Sequence, residues 1–326
     1  MSRRRRYVKR KGRKRLIYGA IAVTFILLCF ITYFSLQQSN QTDQAHGNNA
    51  IPQAAIVDHL NFTGQPNPTF VNACETILDE AGLTWKYYKG EDITVDFYRN
   101  LPSHGSGLII LRVHSAIMKE ENGTIIFPPL IGLFTSEVYS LEAAQKYYSD
   151  IYFDGEYHND SLVMAYFPGE DIYYFAIGPK FIENRMNGEF KDTVIIMMGC
   201  EGLGYINPST GAQVAYTDMA KAFIKRGAKV YIGWDGPVGA DHTDQATLDL
   251  LQDLILEKPI KEAVGEVDAD PNYESVLKFY PDDDNTGNYV IPNVRSDLTM
   301  NVAYTSPKVL TKSKYTTQRV VPEFST

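Results

Sequence analysis

Apolar residues fall along this chain in short runs, separated by stretches of helical periodicity. Residues 54–57, 83–88, 107–113, 193–198 and 228–234 are strand candidates. The last three are apolar almost throughout and are bounded by glycine or charge, the pattern of strands buried on both faces. Between the first two, Phe70, Val71, Cys74, Ile77, Leu78 and Ala81 recur at helical spacing and stop at Gly82, a natural C-cap. Residues 93–101, 215–225 and 243–256 read as further helices, the second closed by Gly227, the third with Leu248, Leu251, Leu254 and Ile255 on one face. Strands alternating with helices predict a mainly parallel sheet covered on both faces. The interval from about 120 to 190 breaks this rhythm. Its aromatic-rich runs at 125–134, 162–167 and 172–177, with one helix at 141–148, predict a β-rich insertion. From Pro271 onward the chain is polar and β-biased.

The amino-terminal pattern differs. Residues 16–36 carry no charge and are rich in Ile, Leu, Phe and Val, long enough to cross a bilayer as one helix. Ten of the 31 Lys and Arg residues precede Leu16, with no acidic residue among them. That block predicts a cytoplasmic amino terminus and an outward-facing body. A cleaved signal peptide is the rival reading, but the apolar run is longer than such a segment needs and no small-residue cleavage site follows it. The expected organisation is a basic segment at 1–15, a transmembrane helix at 16–36, a polar linker at 37–53, the main domain at 54–267, and a polar, β-biased segment at 268–326.

Composition narrows the functional classes. With 44% hydrophobic and 21% charged residues the chain has ordinary globular composition. Without the basic block, 21 basic residues face 39 acidic ones, which argues against a nucleic-acid partner. Three cysteines, Cys29, Cys74 and Cys200, do not make a disulfide scaffold, although a Cys74–Cys200 bridge would be permitted outside the cytoplasm. Sequons at Asn40, Asn61, Asn122 and Asn159 fit export but are little more than chance supplies.

The candidate chemistry sits where strands end. The run 193–198 leads into Gly199, Cys200, Glu201, Gly202, Leu203 and Gly204, so the thiol stands at a strand's carboxyl end, where open α/β sheets place their sites. The run 107–113 ends in His114 and Ser115. Together they offer a nucleophile and an imidazole; the alternative is a buried structural cysteine and a histidine that serves a loop. Cys74 lies mid-helix among apolar neighbours and reads as core, and His104 precedes its strand and reads as a turn residue.

A strand ending in His, followed later by a strand ending in Gly-Cys, resembles the clan of cysteine peptidases that contains caspases, legumain, gingipains, clostripain, separase and the CHAT domains. The resemblance extends through the glycine-rich loop at 199–204, the segment DMAKAFIKRGAKVYIGWDGPV at 218–238 and the helix that begins at Asp241. It implies a caspase-like three-layer α/β/α sandwich. It also implies a His114–Cys200 dyad in which the thiol needs only a modest pKa reduction, with the backbone amides of Ser115 and Cys200 as oxyanion donors. Ser115 departs from the glycine usual at its position but keeps the amide. Asp58, Trp234 and Asp235, at neighbouring strand ends, are candidates for a substrate pocket favouring Arg or Lys before the scissile bond. Glu201, beside the nucleophile, could contribute instead. Some relatives use calcium, and residues 282–287 open like a calcium loop, though Asn293 stands where such a loop has Glu; a solvated acidic turn is the alternative. No other cofactor is expected. The expected function is a membrane-anchored, extracytoplasmic cysteine endopeptidase acting on polypeptides. The alternatives are an inactive binding or assembly module of the same fold and an unrelated adhesion or sensor ectodomain.

Overall fold

The computed structural model describes residues 53–292, apart from residues 106, 120–124, 126–128, 148–160 and 168–170. Six strands form the main sheet: β1 (Ala54–Asp58), β2 (Trp85–Lys89), β3 (Leu108–Arg112), β8 (Val194–Met197), β11 (Val230–Trp234) and β12 (Leu277–Tyr280). Their order is β12-β11-β8-β3-β1-β2. The first five in sequence are parallel, and β12 closes one edge antiparallel to β11. Every residue of β1, β3, β8 and β11 is buried, which accounts for their apolar character up to Asp58 and Arg112 at the ends of β1 and β3.

Alternate residues of these strands feed two apolar clusters. Ala54, Ile56, Leu108, Ile110, Val194, Ile196, Val230 and Ile232 pack with α1 (Pro68–Glu80), α6 (Ala240–Ile255) and α7 (Ile260–Gly265). Ala55, Val57, Ile109, Leu111, Ile195, Met197 and Tyr231 pack on the other side, with α2 (Val95–Arg99), α4 (Pro179–Arg185) and α5 (Asp218–Lys225). The period-two alternation of a pleated strand thus sorts one apolar run between two helical layers.

The insertion forms a second sheet in the order β4-β5-β7-β6, from β4 (Ser115–Ile117), β5 (Ile131–Val138), β6 (Leu162–Tyr166) and β7 (Tyr173–Ile177), with α3 (Leu141–Lys146) between β5 and β6. Its neighbours are all antiparallel, and Ile117, Leu133, Leu162, Phe175 and Ile177 join the second cluster. A short hairpin of β9 (Gly204–Ile206) and β10 (Gln213–Ala215) follows β8.

Local signals account for the boundaries. Asn67 caps α1 by accepting from the Phe70 amide at 3.1 Å, with Pro68 at the first helical position. One finding differs from the sequence expectation: the sheet's sixth strand lies beyond residue 267, so the sheet extends past that boundary. Within residues 282–287, Asp283 Oδ1 accepts from the Thr286 amide at 2.7 Å and caps α8 (Asp284–Gly287). Among the described residues no helix is long and apolar enough to cross a membrane; the expected span at 16–36 lies outside them.

Candidate active site

β3 and β8 are direct parallel neighbours, with Leu111 opposite Met197. The pairing continues one step further, as the Met198 amide donates to Leu111 O at 3.0 Å. His114 lies three residues beyond Leu111 and Cys200 three beyond Met197, so the two candidates leave adjacent strands at equal height. Parallel strands run about 4.8 Å apart. Gly199 is what permits so close an exit: a Cβ there would lie 2.5 Å from Val113 O and 2.6 Å from Ser115 Oγ. Ser115 Oγ in turn donates to Cys200 O, tying the two strand ends together.

The loop after Cys200 is laced to the end of β11. Glu201 N donates to Gly236 O at 2.9 Å and Leu203 N to Trp234 O at 2.7 Å. Glu201 takes φ 63°, the left-handed region that costs a non-glycine residue. Its carboxylate turns back onto β4 and accepts from the Ile117 amide at 2.6 Å.

The ladder between β4 and β5 orients the Ser115 amide. Phe134 N donates to His114 O and Met118 N to Leu130 O, so the hydrogen-bonded pairs fall at His114, Ala116 and Met118. Ser115 and Ile117 occupy the alternate positions, whose amides point out of the ladder. The Ile117 amide reaches Glu201 on that side. The Ser115 amide points the same way, and no ladder carbonyl of β5 accepts from it.

Cys74 and Cys200 are both free thiols. Cys74 is wholly buried in α1. Cys200 is half-buried, and its Sγ donates to Val238 O at 3.7 Å. Burial pushes the Cys200 thiol above its ordinary range, against the pull of backbone groups at Val238 and Cys200, and the Glu201 charge adds to the rise. The direction is opposite to the modest reduction that the resemblance implies. Burial and the Arg112 charge lower His114 to about 4. Near neutrality both groups are therefore uncharged. Among the described residues no hydrogen bond joins them: the imidazole packs against Phe167 at 5.1 Å, His59 at 6.0 Å and Phe134 at 6.1 Å between ring centroids.

The three candidate pocket residues are committed within the fold. Asp58 is wholly buried, its Oδ1 accepting from Arg112 Nη1 at 2.8 Å and its Oδ2 from the Tyr87 hydroxyl at 3.0 Å. Asp235 accepts from the Val276 amide at 2.8 Å and pairs with Lys278 Nζ at 2.8 Å. Trp234 is buried and donates from Nε1 to Thr243 Oγ1 at 2.9 Å. All three are buried and held by partners within the fold.

Two features escaped the sequence reading. Arg112 is buried between two carboxylates, donating to Asp244 through Nε at 2.7 Å and Nη2 at 2.9 Å as well as to Asp58. A single arginine ending an otherwise apolar strand was the available signal, since a buried guanidinium requires partners. The second is His59, which follows β1 as His114 follows β3. It is wholly buried, and neither ring nitrogen has a hydrogen-bond partner. Burial and then His114 lower it to about 3; the Thr135 backbone lies near enough to oppose the shift without meeting hydrogen-bond geometry. Among the described residues no group of three or more His, Cys, Asp or Glu could hold a metal ion. The chain matches no protein-family model and no curated protein.

Proposed function

We propose that this chain is a cysteine endopeptidase of caspase-like fold, tethered by residues 16–36 and acting outside the cytoplasm, with His114 and Cys200 as its dyad. The observation that supports the reading is the adjacency of β3 and β8, whose carboxyl ends lead into His114 and Cys200 at the same edge of a parallel sheet. A dyad needs that adjacency; widely separated strands would have excluded it.

The uncharged resting pair defines the chemistry. Sγ attacks the peptide carbonyl while its proton passes to a His114 ring nitrogen, forming the C–S bond and an oxyanion. The outward amide of Ser115, with that of Cys200, holds the oxyanion. The imidazolium then gives the proton to the leaving amine as the C–N bond breaks. Water, deprotonated by the same imidazole, releases the acyl group as a carboxylate and restores the thiol.

A raised thiol and a Ser115 side chain bonded to the Cys200 carbonyl favour the second reading, an inactive module of the same fold. A thiol-directed peptidyl acyloxymethyl ketone separates them. The full-length chain in detergent, with and without calcium, is labelled at Cys200, not at all in Cys200→Ala, and at least a hundredfold more slowly in His114→Ala. No Cys200-dependent label in either condition rules for the inactive module.

A further inference from the structure

We infer that the site selects a large apolar or aromatic substrate side chain beside the scissile bond, and not Arg or Lys; this rests on the peptidase reading. Strand order carries the first part of the argument. β1 lies between β2 and β3, with α1 on one face of the sheet and α2 on the other. The chain thus reverses direction between β1 and β3, and open α/β sheets bind ligands in the crevice outside the carboxyl ends at such a point. His59 and His114 follow those two ends.

What surrounds the two imidazoles is aromatic. His59 packs against Phe62 at 6.1 Å and Phe134 at 6.4 Å, and His114 against Phe134 at 6.1 Å and Phe167 at 5.1 Å. Phe134 and Phe167 meet at 5.0 Å, and Tyr174 joins Phe62 to Phe167 at 5.8 Å from each. Phe62, His114 and Phe167 are half-buried, so the cluster keeps an accessible side next to the proposed base. A ring or branched aliphatic group laid there would remove apolar surface on both partners from water.

The neighbouring carboxylates already have partners: Asp58 and Asp244 are held by Arg112, Asp235 by Lys278 and the Val276 amide, the Glu201 carboxylate by the Ile117 amide, and Asp270 by the Gly239, Asn272 and Tyr273 amides.

The test compares two probes on the full-length chain in detergent, acyloxymethyl ketones identical except for Phe or Arg before the reactive group. Labelling of Cys200 is expected to be at least about tenfold faster with the Phe probe, the discrimination an apolar contact of this size supports. Phe167→Ala reduces that ratio and Phe167→Leu restores most of it. Faster labelling by the Arg probe, or a ratio unmoved by Phe167→Ala, overturns the selectivity and leaves the peptidase reading standing. Labelling by neither probe overturns both.

Discussion

Replacing Arg112 with Met isolates the interaction that fixes the strand ends of the site. The guanidinium donates from Nη1 to Asp58 Oδ1 at 2.8 Å and Gln65 O at 3.0 Å, and grips Asp244 through Nε and Nη2 at 2.7 and 2.9 Å. Asp58 is also held by Tyr87 and the Asn61 amide, and Asp244 by Asn67 Nδ2. Met roughly fills the volume of the arginine stem but leaves two buried carboxylates without a counter-ion. Breaking a buried ion pair from one side costs about 3–5 kcal/mol, mostly from the charge left behind. At about 2–4 °C per kcal/mol for a chain of this size, the melting temperature should fall by roughly 10 °C. Thermal unfolding followed by circular dichroism reads the shift. The loss should be greater at pH 8 than at pH 5, because a buried carboxylate without a partner is better accommodated as the neutral acid. A triple variant, Asp58→Asn, Arg112→Met and Asp244→Asn, should recover part of it. A melting temperature within 2 °C of wild type, or a deficit that does not vary with pH, refutes the reasoning.

Three further outcomes follow from the same strand ends. His59 and His114 have folded-state values of about 3 and 4, below the unfolded 6.5, so the unfolded chain binds protons first as pH falls. Stability is then full above about pH 6.5 and is lost on acidification toward pH 4, by about 3 kcal/mol for His59; urea unfolding of His59→Phe should show a flatter slope across that interval. In Glu201→Gln the charge that adds to the rise of the Cys200 thiol is gone, and the pH midpoint of Cys200 alkylation by iodoacetamide, followed by peptide mass spectrometry, should move down. An unchanged or higher midpoint counts against that electrostatic coupling. Gly199→Ala forces a methyl group against Val113 O and Ser115 Oγ, and calorimetry should register a loss of about 1–3 kcal/mol, together with slower Cys200 labelling.

Four strands of the main sheet, β1, β3, β8 and β11, were legible because they are buried on both faces, a demand that apolar runs satisfy. β12 was not, because Lys278 is exposed and Phe279 and Tyr280 are half-buried on an edge that needs only one apolar face. The His and Cys positions were legible as strand ends, but their neighbourhood was not. Phe62, Phe134 and Phe167 are separated by 105 residues of chain and meet only through the β-rich insertion. The acidic residues misled for a related reason. A carboxylate at a strand end looks the same in sequence whether it faces a substrate or, like Asp58, a buried arginine 54 residues away.

The proposed activity turns on backbone direction more than on side-chain identity at residue 115. Glycine would be required there if the amide could reach the oxyanion only from a left-handed conformation. Ser115 instead sits in an extended strand, paired with Leu133 at a position whose amide faces away from β5. Its donor is therefore supplied by ordinary β geometry, the same geometry that brings the Ile117 amide to Glu201. The Ser115 hydroxyl then has a separate task, holding the Cys200 carbonyl while Gly199 lets the two strands leave the sheet in contact. On this account the serine does not replace a catalytic glycine. It braces the turn that presents the thiol, and the left-handed Glu201 that follows is the strain such a turn retains.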